Sequence, residues 1–275
     1  MKFNSFFKTV FYGACLGIGL LPPGFSVATL ALLMGIYPEL IGLLNELFST
    51  NMKKSLKKLG GLALGAVVAI VIASRLISTA TAHFPYQVRF LFLGLILATI
   101  PVIYKQADVK SNFKIKHYIY LSVAVVATSV FVFGGTLSLV NLDGGITVGK
   151  IVFLLIAGML VSASMILPGL SGALMLILIG AYDFLLESLN AFNITVLGTV
   201  AVGGVLGLII CGRLIKHLIE NNETVMYAIS LGLVIGSVPA ILNDGVPRDV
   251  INVATALSLM LIGFITVMLI NAKKA

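Results

Sequence analysis

Two stretches of this sequence repeat one another and decide how the chain folds: GLLPPGFSVATLALLMGIY (19–37) and SMILPGLSGALMLILIGAY (164–182). Both are apolar, and both place a Pro-Gly pair and a serine where an uninterrupted helix would be expected. Proline lacks a backbone N–H and glycine permits close backbone approach, so each pair interrupts its helix. The repetition therefore predicts two equivalent breaks in the chain.

The composition is that of an integral membrane protein. Hydrophobic residues make up 59% of the 275 residues, charged residues make up 10%, and the mean hydropathy is +1.13. A water-soluble domain carries roughly 25% charged residues. Long stretches with at most one charge, such as 60–82, 118–135 and 252–271, have the length that a helix needs to cross a ~30 Å hydrocarbon core. The predicted fold class is all-α and polytopic, because transmembrane strands would alternate in polarity.

The similarity extends beyond the two breaks and divides the chain into two copies of one unit. At an offset of 145 residues, the two opening stretches match at their Pro-Gly pairs, serines, glycines and final tyrosines. At an offset of 138, LGLILATIPVI (93–103) matches LGLVIGSVPAI (231–241), and Arg75 matches Arg213. We therefore expect residues 1–138 and 139–275 to be two repeats within one integrated transmembrane domain.

Each Pro-Gly segment is followed by three predicted spanning helices, and an odd number inverts the second copy relative to the first. The predicted spans are 60–82, 89–104 and 118–135, then 196–217, 225–242 and 252–271. Cytoplasmic loops collect Lys and Arg, and the inverted arrangement puts fourteen of the eighteen basic residues on one side. These are Lys2, Lys8, Lys53, Lys54, Lys57, Lys58, Lys105, Lys110, Lys114, Lys116, Arg213, Lys216, Lys273 and Lys274. Both termini are accordingly predicted to be cytoplasmic.

The same topology makes each Pro-Gly segment a hairpin. Residues 9–38 enter and leave from the cytoplasmic side, and residues 150–182 enter and leave from the outer side. No charge lies between Lys8 and Glu39 or between Lys150 and Asp183, so neither bend resembles a turn exposed to water. We interpret both hairpins as re-entrant, with two complete spans as the alternative that gives the same topology.

The hairpin tips are the candidate site. A helix that restarts after each tip points free N–H groups and a positive dipole end inward, with Ser26 or Ser171 at the N-cap position. Such an end binds anions, and paired broken helices in inverted repeats are a recurring plan of secondary transporters. Three neighbouring hydroxyls also qualify as lining residues, with helix packing as the alternative: Thr29, Ser162 and Ser164. Arg75 and Arg213 either contact phosphate or extend to the lipid headgroups.

Other classes of site find little support in the sequence. The net charge of +8 comes from short clusters between apolar spans, which indicates membrane loops rather than a nucleic-acid surface. Cys15 and Cys211 have no metal or disulfide spacing. No histidine lies near either tip, so no catalytic residue, metal or cofactor is predicted. We interpret Tyr37 and Tyr182 as interfacial residues at the feet of the hairpins.

Both P-G-x-S segments are followed about nine residues later by G-x-Y, and in this the chain resembles the polyprenyl-phosphate transporter family, the PopT-like proteins once catalogued as a domain of unknown function. The resemblance implies return of undecaprenyl phosphate, the lipid carrier of cell-wall synthesis, from the outer to the inner leaflet of the bacterial plasma membrane. It also implies a headgroup site formed by residues of both tips. These are Pro23, Gly24, Ser26, Thr29, Pro168, Gly169, Ser171 and Gly172.

The first copy departs from the family pattern. It has Leu20 and Leu21 where the family places an acidic residue, and Val27-Ala28 where the family has two glycines. A carboxylate role at the first tip is therefore in doubt, and the coupling ion, proton or sodium, stays open, as does the oligomeric state. Two alternatives to lipid translocation remain: a transporter of a small soluble anion, and a membrane enzyme that acts on a lipid phosphate.

Overall fold

The computed structural model describes residues 5–23, 52–133, 147–166, 171–242 and 249–272, together with positions 27, 30, 31, 34–36, 39, 40, 43 and 247. Within these ranges the regular secondary structure is helical, without strands, as the all-α prediction requires. The helices of four residues or more are α1 (Phe6–Leu20), α2 (Met52–His83), α3 (Pro85–Gln106), α4 (Val109–Asn112), α5 (Ile115–Phe133), α6 (Val148–Ile166), α7 (Gly172–Leu178), α8 (Tyr182–Asn190), α9 (Ile194–Leu242) and α10 (Val250–Ala272).

Several of these helices can cross a membrane. Ser55–His83 of α2, all of α3 and all of α10 have the required length and apolar composition, and α7 with α8 forms a bent pair that qualifies as a fourth. Large apolar side chains are exposed along these helices and along α5, among them Val68, Ile72, Val126 and Ile265. Extended apolar surface of this kind marks contact with lipid. The protein is thus a polytopic membrane protein.

The helix boundaries follow the predicted spans, with one difference. The predicted spans 196–217 and 225–242 are joined in α9, which is interrupted only at Asn222 (φ −149°, ψ 51°). Phe84, which separates α2 from α3, has similar backbone angles (φ −133°, ψ 57°). These two residues are 138 positions apart, so the paired positions of the sequence also share a local backbone geometry. Each junction needs a single non-helical residue.

Glycines allow α1 to pack along α2, and α6 along the first part of α9, at short backbone distances. A Cβ atom at Gly13 would overlap the Leu62 carbonyl, and one at Gly158 would overlap the Val200 carbonyl. Gly158 lies 145 positions after Gly13, and Val200 lies 138 positions after Leu62. Small residues at helix contacts let backbones approach closely in membranes. The two helix pairs therefore use corresponding residues for the same contact.

Helices from the two halves of the chain also pack against each other. α3 packs along α10, where Gly94 meets the Met260 backbone, and the second part of α9 packs along α5, where Gly232 meets the Leu121 backbone. Gly94 and Gly232 are again 138 positions apart. In each case the second long helix of one half contacts the third of the other. The core thus forms from both halves together.

Candidate functional site

Helices α6 and α7 flank the second predicted break. α6 ends at Ile166, and the chain resumes at Ser171, whose extended backbone (φ −115°, ψ 141°) precedes α7. A Cβ atom at Gly172 would lie 2.9 Å from Val161 Cγ1 and 3.7 Å from Ser164 Oγ. The start of α7 therefore lies beside the last turns of α6. Pro168 and Gly169 lie outside the described residues.

The returning arm of this hairpin is short. α7 has seven residues and is followed by a bend of 116° into α8, so its length is about 10 Å. The bend uses Gly180 in the left-handed region (φ 68°), and its counterpart Gly35 has a φ of 66°. Residues with a side chain seldom adopt this conformation. This explains why both copies carry glycine at the position two residues before the tyrosine.

The serines of the second hairpin differ in what their hydroxyls do. Ser162 Oγ donates to the Met159 carbonyl at 3.0 Å, and Ser164 Oγ donates to the Val161 carbonyl at 2.7 Å. Ser171 is 3% exposed, and its hydroxyl has no hydrogen-bond partner. A buried hydroxyl is costly when unpaired, so the hydroxyl of Ser171 is a hydrogen-bonding group that the fold itself leaves unsatisfied. Ser162 and Ser164 already use their protons within their own helix.

Described residues on either side of the first predicted break are in contact. Pro23 is fully buried after the end of α1. A Cβ atom at Gly19 would overlap the Leu30 side chain, so residues on either side of the tip are in contact. Gly24, Ser26 and Thr29 lie outside the described residues.

A hydrogen bond joins the two hairpins. Tyr182, which follows the second break, donates its hydroxyl to the Leu21 carbonyl, just before the first break, at 3.1 Å. Its ring meets the edge of Phe92 with the ring centroids 6.1 Å apart. Leu21, Ala173 and Tyr182 belong to one buried apolar cluster. The structure therefore brings the flanks of the two predicted tips together.

The interfacial interpretation of Tyr182 was wrong, because this side chain is only 8% exposed and its hydroxyl bonds inside the protein. Tyr37 lies outside the described residues. Sequence reasoning treated the tyrosines separately from the site. Their match across the two copies, at a fixed distance from each Pro-Gly pair, was the signal that tied them to it.

Arg75 lies on the flank of the protein rather than among the residues around the tips. The side chain is exposed, and Cζ lies 5.7 Å from the centre of the Phe192 ring. Ala73 and Ile77 of the same helix pack against the apolar cluster that contains Leu21 and Ala173. Two residues along a helix correspond to about 200° of rotation, so Arg75 points away from that cluster. Arg213 lies on α9, and its side chain is outside the described part.

A buried polar contact lies beside Arg75 and fixes α8 against α2. Ser74, which is fully buried, has two acceptors for its hydroxyl proton, the Val71 carbonyl at 2.9 Å and Asn190 Oδ1 at 3.1 Å. Asn190 Nδ2 donates to Ser78 Oγ at 2.6 Å. Phe192 follows Asn190 by two residues in a left-handed backbone conformation (φ 50°). The contact therefore determines where the aromatic ring under Arg75 lies.

A metal centre is not indicated in the described ranges, where no three His, Cys, Asp or Glu side chains come together. The described residues around the tips include a buried hydroxyl without a protein partner beside a broken helix, and Arg75 lies apart from them on the exposed flank. This chemistry suits an anion rather than a cation.

Comparison with known proteins agrees with this chemistry. A family model described as VCA0040-like, undecaprenyl phosphate translocase-like, matches residues 16–255. The chain belongs to the undecaprenyl phosphate translocase-like family. The resemblance noted in the sequence is thereby confirmed. No solved structure matches this family member.

Two curated relatives of this undecaprenyl phosphate translocase-like protein share most of its length. The polyprenyl-phosphate transporter of Staphylococcus aureus is 28% identical over 92% of each chain. The polyprenyl-phosphate transporter of Vibrio cholerae is 27% identical over 87% of this chain and 79% of its own. Both are named as transporters and not as enzymes.

Proposed function

We propose that this protein translocates undecaprenyl phosphate, a polyprenyl phosphate lipid carrier, from the outer to the inner leaflet of the bacterial plasma membrane, where it is reused in cell-wall synthesis. The observation that carries the proposal is the family match over residues 16–255. The unpartnered hydroxyl of Ser171 between broken helices supplies a donor that suits a phosphate headgroup. No covalent chemistry is required for this task.

The headgroup site comprises residues of both tips, and the lipid tail stays in the bilayer. Pro23, Gly24, Ser26 and Thr29 contribute from the first tip, and Pro168, Gly169, Ser171 and Gly172 contribute from the second. Ser162 and Ser164 line the second tip from α6. In the described conformation the protons of these two serines are engaged by carbonyls, so their contribution to the site is smaller than that of Ser171.

Arg75 and Arg213 lie at the two ends of the path along which the phosphate headgroup crosses the membrane. Arg75 receives the headgroup from the outer leaflet, and Arg213 releases it toward the inner leaflet. Exposure of Arg75 on the flank supports the first step, because a lipid headgroup arrives laterally from the bilayer. The Phe192 ring covers one face of the guanidinium and leaves the N–H groups at its edge available for bidentate contact with phosphate.

We infer that residues 1–138 and 139–275 are inverted repeats, each with a re-entrant hairpin and three spanning helices, and that both termini are cytoplasmic. The matched backbone angles at Phe84 and Asn222, and at Gly35 and Gly180, favour the duplication. The ~10 Å length of α7 favours a re-entrant hairpin over two complete spans. The distribution of basic residues favours the inversion.

Translocation is tested in proteoliposomes that contain undecaprenyl phosphate in one leaflet. The protein should move the lipid to the other leaflet faster than empty vesicles do, and the phosphate ester should remain intact. Inorganic phosphate uptake without lipid movement would indicate a transporter of a soluble anion. Release of phosphate from the lipid would indicate an enzyme.

The topology is tested with single cysteines in intact cells. Cysteines near Ser55, such as at the exposed Lys57, and near Ala272 should be protected from a membrane-impermeant thiol reagent, whereas a cysteine near Asp244 should react. Reaction near Ser55 from outside would exclude the inverted arrangement.

A further inference from the structure

Ser230 shares an unusual property with Ser171. Among the described residues, these two have the buried side-chain oxygens that lack a hydrogen-bond partner. Ser230 is fully buried on α9, eight residues after the break at Asn222, which is about 12 Å along the helix. The hydroxyl thus lies more than two turns inside the second part of α9.

Both hydroxyls lie on helix faces that contact the same apolar cluster. Val234 and Ile241 of α9 belong to this cluster, and they follow Ser230 by four and eleven residues, on the same face of the helix. Leu174 and Leu178 of α7 also belong to it, and they follow Ser171 by three and seven residues. Leu160 of α6 packs against the cluster, with Ser164 one turn further along its helix. Three hydroxyls from α6, α7 and α9 thus border one cluster.

The first half of the chain has a different residue at the position of Ser230. An offset of 138 pairs Ser230 with Phe92, whose ring packs against Tyr182 in the buried cluster around the tips. The first half therefore fills this position with an aromatic ring, while the second half has a small hydroxyl with no protein partner. Packing alone explains Phe92, but it gives no reason for a hydroxyl at Ser230.

We propose that Ser230 is a further ligand of the phosphate headgroup and donates a hydrogen bond from α9 while Ser171 donates from the second tip. The inference rests on the proposed function and adds to its site a residue of a long helix. A phosphate monoester has several acceptor oxygens, so hydroxyl donors on two helices can bind different oxygens of the same headgroup. A neutral lipid alcohol with the same tail lacks the charged acceptor and gains less from either donor.

The test compares two serine substitutions on one helix. Ser230→Ala removes the unpartnered hydroxyl. Ser237→Ala is the matched control, since Ser237 is equally buried but donates to the Val234 carbonyl at 2.7 Å. Purified full-length protein in nanodiscs is titrated with undecaprenyl phosphate, with undecaprenol and with inorganic phosphate, and the thermal midpoint is measured without ligand.

Ser230→Ala should weaken undecaprenyl phosphate binding about tenfold and leave undecaprenol binding unchanged. The thermal midpoint without ligand should stay the same or rise, because the variant loses a buried unpaired group. Ser237→Ala should bind undecaprenyl phosphate as wild type does. Ser230→Cys, which keeps a weak donor of similar size, should give intermediate affinity.

The proposal is overturned if Ser230→Ala and Ser230→Cys both bind undecaprenyl phosphate within about twofold of wild type, or if they lose undecaprenol and undecaprenyl phosphate equally. Tighter binding of inorganic phosphate than of the lipid by wild type, with the same loss in Ser230→Ala, would keep Ser230 as a phosphate ligand but reject the lipid as the substrate. Absence of any phosphate binding by wild type would reject the proposed function together with this inference.

Discussion

The helix pair α1–α2 and the pair formed by α6 with the first part of α9 share their backbone contacts but differ in polarity. Gly13 and Gly158 meet a carbonyl of the partner helix at corresponding positions. One and a half turns further along, the first pair has Gly17 and Gly19, and the second pair has Ser162 and Ser164. In the second pair, Gly207 of α9 maintains the close approach because it lies against the Met159 backbone of α6. Packing has thus been kept in both pairs, while hydroxyls are concentrated in the second.

This contrast teaches that fold and site have separate requirements. A backbone contact between helices needs the absence of a side chain, and either helix can supply it. A headgroup site needs donors, and one of the two hairpins can provide most of them. The predictions below test these requirements, beginning with the largest expected effect.

Glycine contacts should dominate stability in both pairs. Gly65→Ala and Gly203→Ala place a Cβ against the backbone of Val10 and of Leu155, respectively, and each should lower the free energy of unfolding by about 1–3 kcal/mol. The matched controls are Gly60→Ala and Gly198→Ala, where the added Cβ meets no atom within 4 Å. These should be neutral or gain about 0.5–1 kcal/mol from helix propensity. Thermal unfolding in detergent measures the difference, and equal midpoints in all four variants would contradict it.

Substitution of Arg75 should have the next largest effect, a loss of affinity for undecaprenyl phosphate. A hydrogen bond to a charged group contributes roughly 1.5–3 kcal/mol, so Arg75→Gln should weaken undecaprenyl phosphate binding by about tenfold or more. Arg75→Lys should restore only part of the affinity, because an ammonium cannot make the bidentate contact. Arg213→Gln should behave similarly if the halves are inverted copies.

Binding and translocation are measured in proteoliposomes at matched protein levels. If Arg75→Lys and Arg75→Gln both match wild type, the side chain only extends to the headgroups of the surrounding lipids, and the path assigned to the arginines is withdrawn.

The serines of the second hairpin should differ in their contribution to undecaprenyl phosphate affinity, because only some of their hydroxyls already have a hydrogen-bond partner. Ser171→Ala removes an unpartnered buried hydroxyl, and we expect undecaprenyl phosphate affinity to fall about tenfold. Ser164→Ala removes a hydroxyl that already donates to the Val161 carbonyl, and the loss should be about twofold. Isothermal titration of the lipid in nanodiscs compares them. An equal loss in both variants would mean that the carbonyl contact of Ser164 breaks when the headgroup binds.

Tyr182→Phe should have a moderate effect on the contact between the hairpins. It removes the hydrogen bond to the Leu21 carbonyl and keeps the ring that meets Phe92. The expected loss is about 1 kcal/mol of unfolding free energy, read from the thermal midpoint. Tyr118→Phe, at an exposed tyrosine of α5, is the control and should leave the midpoint unchanged. A wild-type midpoint for Tyr182→Phe would show that the hydrogen bond contributes nothing to joining the hairpins.

Substitution of Asp249 should have the smallest effect, a change in stability that depends on pH. The Asn252 backbone N–H and side-chain amide donate to this carboxylate and lower its pKa. Asn252 also accepts from Gln87 of α3 at 2.7 Å, while the residue that corresponds to Gln87 in the second half is the apolar Val225.

Because the folded-state pKa is the lower one, the stabilisation is present above the unfolded value of about 3.9 and is lost as pH falls through the folded value. The thermal midpoint of Asp249→Ala should therefore lie slightly below wild type at pH 7 and converge with it below about pH 4. A constant difference across that range would assign the effect to packing instead of charge.

The long helices could be predicted from the sequence because their signal is local. Apolar runs of about 20 residues predicted α3, α5 and α10 to within about four residues of their observed ends, whereas α2 begins at Met52, eight residues before its predicted start, because the helix continues through the lysine-rich segment. The junction inside α9 was predicted as a loop between two spans, but one residue, Asn222, is sufficient for it. Polar and charged residues around 213–223 suggested a longer connection than the backbone needs.

The site could be predicted only in part, because its determinants are tertiary. The Pro-Gly-x-Ser pattern identified Ser171, whereas the lack of a partner for its hydroxyl depends on how α6 and α7 pack. The burial of Tyr182 depends on its hydrogen bond to Leu21, 161 positions away in the chain, and the burial of Ser230 depends on how α9 packs against its neighbours. The 116° bend after α7 includes Gly180 in the left-handed conformation. The sequence shows this glycine in the repeated G-x-Y pattern but does not show the bend that it allows.

The single-residue junctions at Phe84 and Asn222 bear on how the protein is made. α2 and α3 together have a length of about 80 Å, more than twice the ~30 Å hydrocarbon core, and one residue connects them. The connecting segment is therefore too short for the second helix to remain outside the bilayer after the first has been inserted. We therefore expect α2 and α3 to insert into the membrane as a pair, and the two parts of α9 as another pair.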